Sequence, residues 1–101
     1  MIYARTTPTH SFVVNIGTEY LDSIEVVYKQ DKKIVLTKNK FSDFTLEPNK
    51  ISWKLTEQET ALFEEGKLVK IQMYVTTLGG DALTTQVVEV EVGEVLDRNE
   101  L

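Results

Sequence analysis

The chain reads as an all-β sandwich of about seven strands with one short helix, in 101 residues that suit one domain. Three observations carry this reading. Apolar residues alternate with polar ones at Ile51, Trp53 and Leu55, and again at Val69, Ile71, Met73 and Val75, the period of strands with one buried face. Between these runs Thr56 and Glu59 stand in capping-box positions and Gly66 follows, so a short helix starts and stops there. Turn-forming residues at Asp31-Lys32, Glu47-Pro48-Asn49 and Leu78-Gly79-Gly80-Asp81 cut the remainder into segments of strand length.

In chain order, residues 1–8 are expected to form an extended arm, with Pro8 limiting where pairing can begin. A first strand, 10–16, sets Phe12, Val14 and Ile16 on one face. Residues 17–23 form a loop from which Leu21 dips inward. The second strand, 24–30, aligns Ile24, Val26 and Tyr28, and a tight turn at Asp31-Lys32 returns the chain through 34–38 with Ile34 and Leu36 inward. Residues 41–46 form a weaker strand suited to a sheet edge. The helix, 56–65, is too short to persist alone; its Thr56 cap contributes about 1 kcal/mol, and Leu62 and Phe63, on the face of Leu55, anchor it to the core. Gly79 and Gly80 supply the positive φ angles of a two-residue hairpin. Val88, Val90 and Val92 then face the core, while Glu89 and Glu91 face water. The packed domain therefore covers 9–96, with Val95 and Leu96 folding back and 97–101 a solvated tail.

Composition excludes several functions. A net charge of −5 opposes general affinity for nucleic acid or anionic membrane, both of which reward a surplus of Lys and Arg. Without cysteine there is neither a disulfide framework nor a thiolate zinc site, which suits a reducing cytoplasm. No segment approaches the roughly 18 apolar residues of a membrane-spanning helix, and residues 1–10 show no signal-peptide pattern.

Candidate chemistry is thin. His10 is the sole histidine and has no carboxylate near it in sequence, so it is read as structural. Glu57, Glu59, Glu64 and Glu65 cluster, but capping and solubility explain them better than a catalytic carboxylate pair. There is no calcium-loop series, and Gly79-Gly80-Asp81 lacks the lysine and following helix of a phosphate cradle. No catalytic residue, metal or cofactor is expected. Trp53 shares the core face of its strand, and Tyr74 falls on the outward parity. The distribution of charge is more informative. Lys29, Lys32, Lys33, Lys38 and Lys40 gather around the second and third strands, and Asp81, Glu89, Glu91, Glu94, Asp97 and Glu100 gather towards the C-terminus. A basic side meeting the acidic side of a neighbouring copy would steer head-to-tail assembly, so these lysines with Glu89, Glu91 and Glu94 form the candidate interaction surface.

The stretch from Ile51-Ser-Trp-Lys-Leu-Thr-Glu-Gln-Glu-Thr to Gly66 and on to Gln72 resembles the matching region of small immunoglobulin-like proteins encoded by phages and prophages of Gram-positive bacteria. Those carry "L-T-x-E-x-T" before a glycine, then a strand with "x-I-Q", then a "G-x-A-L" hairpin, here Gly80-Asp81-Ala82-Leu83. Their "R-G-T-T-P-T-H" opening is matched by Arg5-Thr6-Thr7-Pro8-Thr9-His10, except that the glycine is missing. The resemblance spans most of the chain and rests on structural motifs, with no catalytic residue to transfer. It implies an immunoglobulin-like sandwich, a place in tail or baseplate gene regions, and a non-enzymatic structural or assembly role. That role would be exercised through contact with other phage structural proteins or with itself, in the bacterial cytoplasm or the virion. A module binding carbohydrate or a cell surface is the alternative. One tension remains: the tight Asp31-Lys32 turn makes the second and third strands neighbours, whereas the standard immunoglobulin order places them in opposite sheets.

Overall fold

The computed structural model describes residues 1–94; the expected tail at 97–101 and the packing of Val95 and Leu96 lie outside the described residues. Eight strands form two antiparallel sheets. The smaller sheet is ordered β1 (Thr9–Val13), β5 (Lys50–Lys54), β4 (Phe44–Glu47). The larger runs β3 (Lys33–Lys38), β2 (Leu21–Gln30), β6 (Leu68–Thr77), with β7 (Ala82–Thr84) and β8 (Val88–Glu91) both on the far side of β6.

This order resolves the tension over the second and third strands. With β1, β5 and β4 in the places of immunoglobulin strands B, E and D, and β3, β2, β6 and β7/β8 in those of C′, C, F and G, the hairpin joins C to C′ within one sheet. The chain thus lacks, among the described residues, the strand that would flank β1. In its place a seam of about 630 Å³ opens between Phe12, Val14 and Ile16 on one side and Leu83 and Val88 on the other. Val88 faces inward opposite Ile71, yet it stays 41% exposed because this seam is uncovered.

The core lies between the sheets, where Ile51, Trp53 and Phe44 meet Ile24, Val26, Tyr28, Val69, Ile71 and Met73. Three bulges adjust the alternation. On β3, Tyr28 faces Leu36 but Lys29 faces Ile34, so Val35 is the extra residue. That slip turns Ile34 outward, where it is 60% exposed, contrary to the inward position its spacing suggests; Val35 packs against the core instead. Another lies between Leu21 and Ser23 on β2. The last splits the final strand: Tyr74 faces Thr84 but Ile71 faces Val88, so three steps on β6 answer four on the partner. At that point the Met73 amide donates to Thr85 Oγ1 at 3.0 Å and the Thr85 amide donates to the Met73 carbonyl at 3.0 Å, replacing regular pairing and giving eight strands instead of seven.

The connections follow local chemistry, with some corrections. Asp31 and Lys32 have φ of 50° and 67°, both in the left-handed region, as a two-residue I′ turn requires. In the last hairpin only Gly80 takes positive φ, and the Thr77 amide donates to the Asp81 carbonyl across a three-residue loop, not the two-residue turn expected. Residues 41–46 begin as a 3-10 turn, Phe41–Asp43, before β4 takes the sheet edge.

The capping box is formed: the Glu59 amide donates to Thr56 Oγ1 at 3.1 Å and the Thr56 amide donates to Glu59 Oε1 at 2.8 Å. The helix, α1 (Glu57–Thr60), is a single turn, shorter than 56–65. Because it stops there, the helical spacing from Leu55 does not reach Leu62, which is 57% exposed. Phe63 alone enters the core, with its ring centroid 5.4 Å from that of Tyr28.

The N-terminal arm belongs to the domain. Ile2 is fully buried, its amide donates to the Glu91 carbonyl, and its carbonyl accepts the Gly93 amide at 2.8 Å in a parallel bridge to Val92. Thr60 Oγ1 donates to the Thr6 carbonyl at 2.9 Å and ties the arm to α1. Gly93 lets the Tyr3 ring lie against the backbone: a Cβ there would meet the ring at 2.3 Å and displace it.

Two stability outcomes follow, both read by urea denaturation. Ile2→Ala should cost about 2–4 kcal/mol, as a core truncation does, where a dispensable arm would cost under about 0.5 kcal/mol. Lys32→Gly should stabilise by about 0.5–1 kcal/mol, because glycine holds the left-handed backbone without a Cβ clash.

Candidate interaction surface

The residues singled out for chemistry are distributed over three environments. In the first, polar side chains are committed to the core. His10 faces inward on β1, opposite Trp53 of β5. Trp53 Nε1 donates to the Tyr28 hydroxyl at 2.7 Å, and the same oxygen lies 2.6 Å from His10 Nδ1. An indole N–H can only donate, so the phenol oxygen accepts it, while the tautomer of His10 sets which of Nδ1 and the phenol donates in the second bond. Burial lowers the His10 pKa below its ordinary 6.5, and the Met1 amino group adds to this. Burial likewise drives the Tyr28 phenol well above 10, against the indole bond and with a smaller push from Glu59. The parity of His10 with Phe12 and Val14 was the available signal of its inward direction; its partner on another sheet left none.

Lys38 belongs to this first environment too, which corrects its assignment to the basic surface. It faces inward opposite Val26 and is only 8% exposed. Its ammonium donates to the Lys54 carbonyl at 3.2 Å and to Glu59 Oε1 at 3.0 Å, so the charge is neutralised and shared. Burial pushes the Glu59 carboxyl up, but the bonds from the Thr56 amide and Lys38 outweigh it and hold the group below its usual 4.5. Glu59 is thus a cap and a lysine partner.

The second environment is local surface. Glu64 and Asp31 both pair with Lys67, whose pKa is raised by those two bonds. The Gln30 side chain brackets the Glu64 backbone, donating to its carbonyl at 2.9 Å and accepting its amide at 2.8 Å. Glu57 is exposed in the first turn of α1. Lys33 is exposed at the end of the β2–β3 hairpin, and Lys40 lies in the connection that leads to the smaller sheet. Asp81 closes the last hairpin. Glu94 is the last described residue and is exposed.

The third environment is a groove of about 680 Å³ on the outer face of the larger sheet, with Lys29, Lys32, Lys67 and Lys70 along it and Val27, Leu68 and Tyr74 among its apolar residues. Sequence spacing reaches Lys29 and Lys32 but misses Lys67 and Lys70, because the antiparallel register of β2 on β6 is what sets Lys29 opposite Lys70. The signal available was parity: Leu68, Lys70, Gln72 and Tyr74 all alternate with core positions of β6. The register continues across β6, setting Lys70 opposite Glu89 and Leu68 opposite Glu91. Basic and acidic residues thus stand side by side on one face, not on opposite sides of the molecule. Trp53 is buried in the core as expected, and Tyr74 points outward with its hydroxyl donating to Gln72 Oε1 at 2.9 Å.

Among the described residues no three His, Asp or Glu side chains converge as a metal-binding group, and no helix is long and apolar enough to cross a membrane. Comparison of the chain with protein-family models, with curated proteins and with solved structures gave no match.

The buried tripod gives a pH dependence. As pH falls through 6.5 the unfolded chain takes up a proton that folded His10 resists, so stability declines until the lower folded-state value is passed and then levels. Urea midpoints measured between neutral and mildly acidic pH should fall in the parent chain, and the decline should be smaller in His10→Gln. Equal slopes in the two would contradict the assignment.

Proposed function

We propose that the chain is a non-enzymatic structural or assembly protein of a bacterial phage or prophage, associated with the tail or baseplate and acting through protein–protein contact. The observation that carries this is the outer face of the larger sheet. It has an apolar centre, Leu68 and Tyr74 exposed on it, and lysines at positions 29, 32 and 70 that form no ion pair among the described residues. An apolar centre with unneutralised charge around it is the anatomy of a docking patch. The motifs in residues 51–72 and the Arg5–His10 opening supply the phage context, and the commitment of His10 and Glu59 to structural bonds supports a non-catalytic reading. On this reading the protein works without cofactor or metal, contacts neither nucleic acid nor membrane, and passes from the bacterial cytoplasm into the particle.

A carbohydrate- or cell-surface-binding module is the rival, favoured by Tyr74, an outward aromatic held beside the Gln72 amide. Co-expression with the products of the neighbouring genes, followed by gradient sedimentation, should place the chain with assembled particles, and Lys29→Glu/Lys70→Glu should release it. A chain that stays unassembled while its Tyr74 resonances shift on titration with cell-wall glycans would favour the rival. Buried Trp53 is not the probe for that titration.

A further inference from the structure

We propose that the outer face of the larger sheet is a self-complementary interface that pairs two copies of this chain about a two-fold axis parallel to its strands. The inference deepens the contact-protein reading and rests on it. Its starting point is one row across the sheet. Lys29 on β2, Lys70 on β6 and Glu89 on β8 are direct register partners, so their side chains rise from the same face at strand spacings of about 4.8 Å. Two lysines on neighbouring strands therefore stand beside an acidic edge strand, on which Glu89 is followed by Glu91 opposite Leu68. Two rows above, Glu25 lies opposite Tyr74, and between them Val27 lies opposite Gln72, with Val87 beyond it in the groove wall.

Within one chain this row leaves Lys29 without an acidic neighbour: it stands opposite the like charge of Lys70, which has Glu89 on its other side, and among the described residues neither lysine joins an ion pair. A two-fold along the strands at β6 exchanges left for right and preserves height. It sets Lys29 of each copy over Glu89 of the other, Val27 over Val87, and Tyr74 and Lys70 each over itself, the two Lys70 ammonium groups being flanked by both Glu89 carboxylates. A two-fold across the strands would oppose every charge of the row to its own kind, Lys29 to Lys29 and Glu89 to Glu89 as well as Lys70 to Lys70. Head-to-tail stacking needs its basic and acidic patches on different faces, and here they share one. The assembly therefore closes at two, as an isologous contact does.

Sedimentation velocity and light scattering of the full chain at low ionic strength should show a concentration-dependent dimer that weakens in about 0.5 M salt, where screening is short-ranged. Lys29→Glu and Glu89→Lys should each weaken dimerisation about tenfold or more, since symmetry applies every change twice. Mixing the two variants should restore a one-to-one dimer, because each then offers what the other lacks. Lys29→Gln and Glu89→Gln, which remove charge without reversing it, give the same readout if a reversal perturbs folding. A monomer at every concentration in low salt would overturn the proposal, as would open oligomers growing past two or a dimer indifferent to both reversals. A monomer that still sediments with particles sinks the dimer alone; a dimer that never joins particles sinks the assembly reading alone.

Discussion

The Tyr28 hydroxyl is the point at which the two sheets are locked together. It sits in the core, with no exposed surface on its residue, accepting from the Trp53 indole of the smaller sheet and bonded to His10 of the strand beside it. A buried hydroxyl without partners is costly, and here it has two. Hydrophobic contact between sheets is tolerant of sliding, whereas a hydrogen bond of 2.7 Å is not. The bond therefore fixes how β2 lies over β5. Around it the rings of Phe12, Phe44 and Phe63 complete an aromatic cluster that also seats the segment after α1.

A second polar device works at the helical end of the sandwich. Lys38 reaches from β3 across the core edge to Glu59, which already caps α1, and to the carbonyl of Lys54. The capping box thus does more than start a helix: it presents a carboxylate that satisfies an inward lysine from the opposite sheet. Removing either member would leave the other partly buried and unpaired, a situation worse than having neither. Ile2 and Val92 close the same end, so that half of the core is covered although no strand flanks the outer side of β1 among the described residues. The other half stays open along the seam between β1 and β7.

These interior commitments explain the character of the exterior. The sole histidine and the helix-capping glutamate are spent on structure, which leaves the outer face of the larger sheet as the place where charge and apolar surface are exposed together. That face is carried by paired strands, and register sets which charges stand side by side on it. It suits the contact role we propose, because rigid elements hold charges in place without further loss of entropy on docking.

Strand periods, the cap at Thr56, the Asp31-Lys32 turn and an edge strand within residues 41–46 were all legible in the residues, because each is set by neighbours within a few positions. The β-sandwich class followed from them. The bulges at Val35 and between Thr84 and Val88 were not legible: each is a difference between two strands, and no single strand carries a record of it. They turned Ile34 outward and divided the last strand. Register likewise took Lys38 out of the basic cluster and brought Lys70 into it, beside Glu89. Local interactions specify which way a side chain faces along its own strand; pairing across the sheet specifies what stands next to it, and charge acts on that second neighbour.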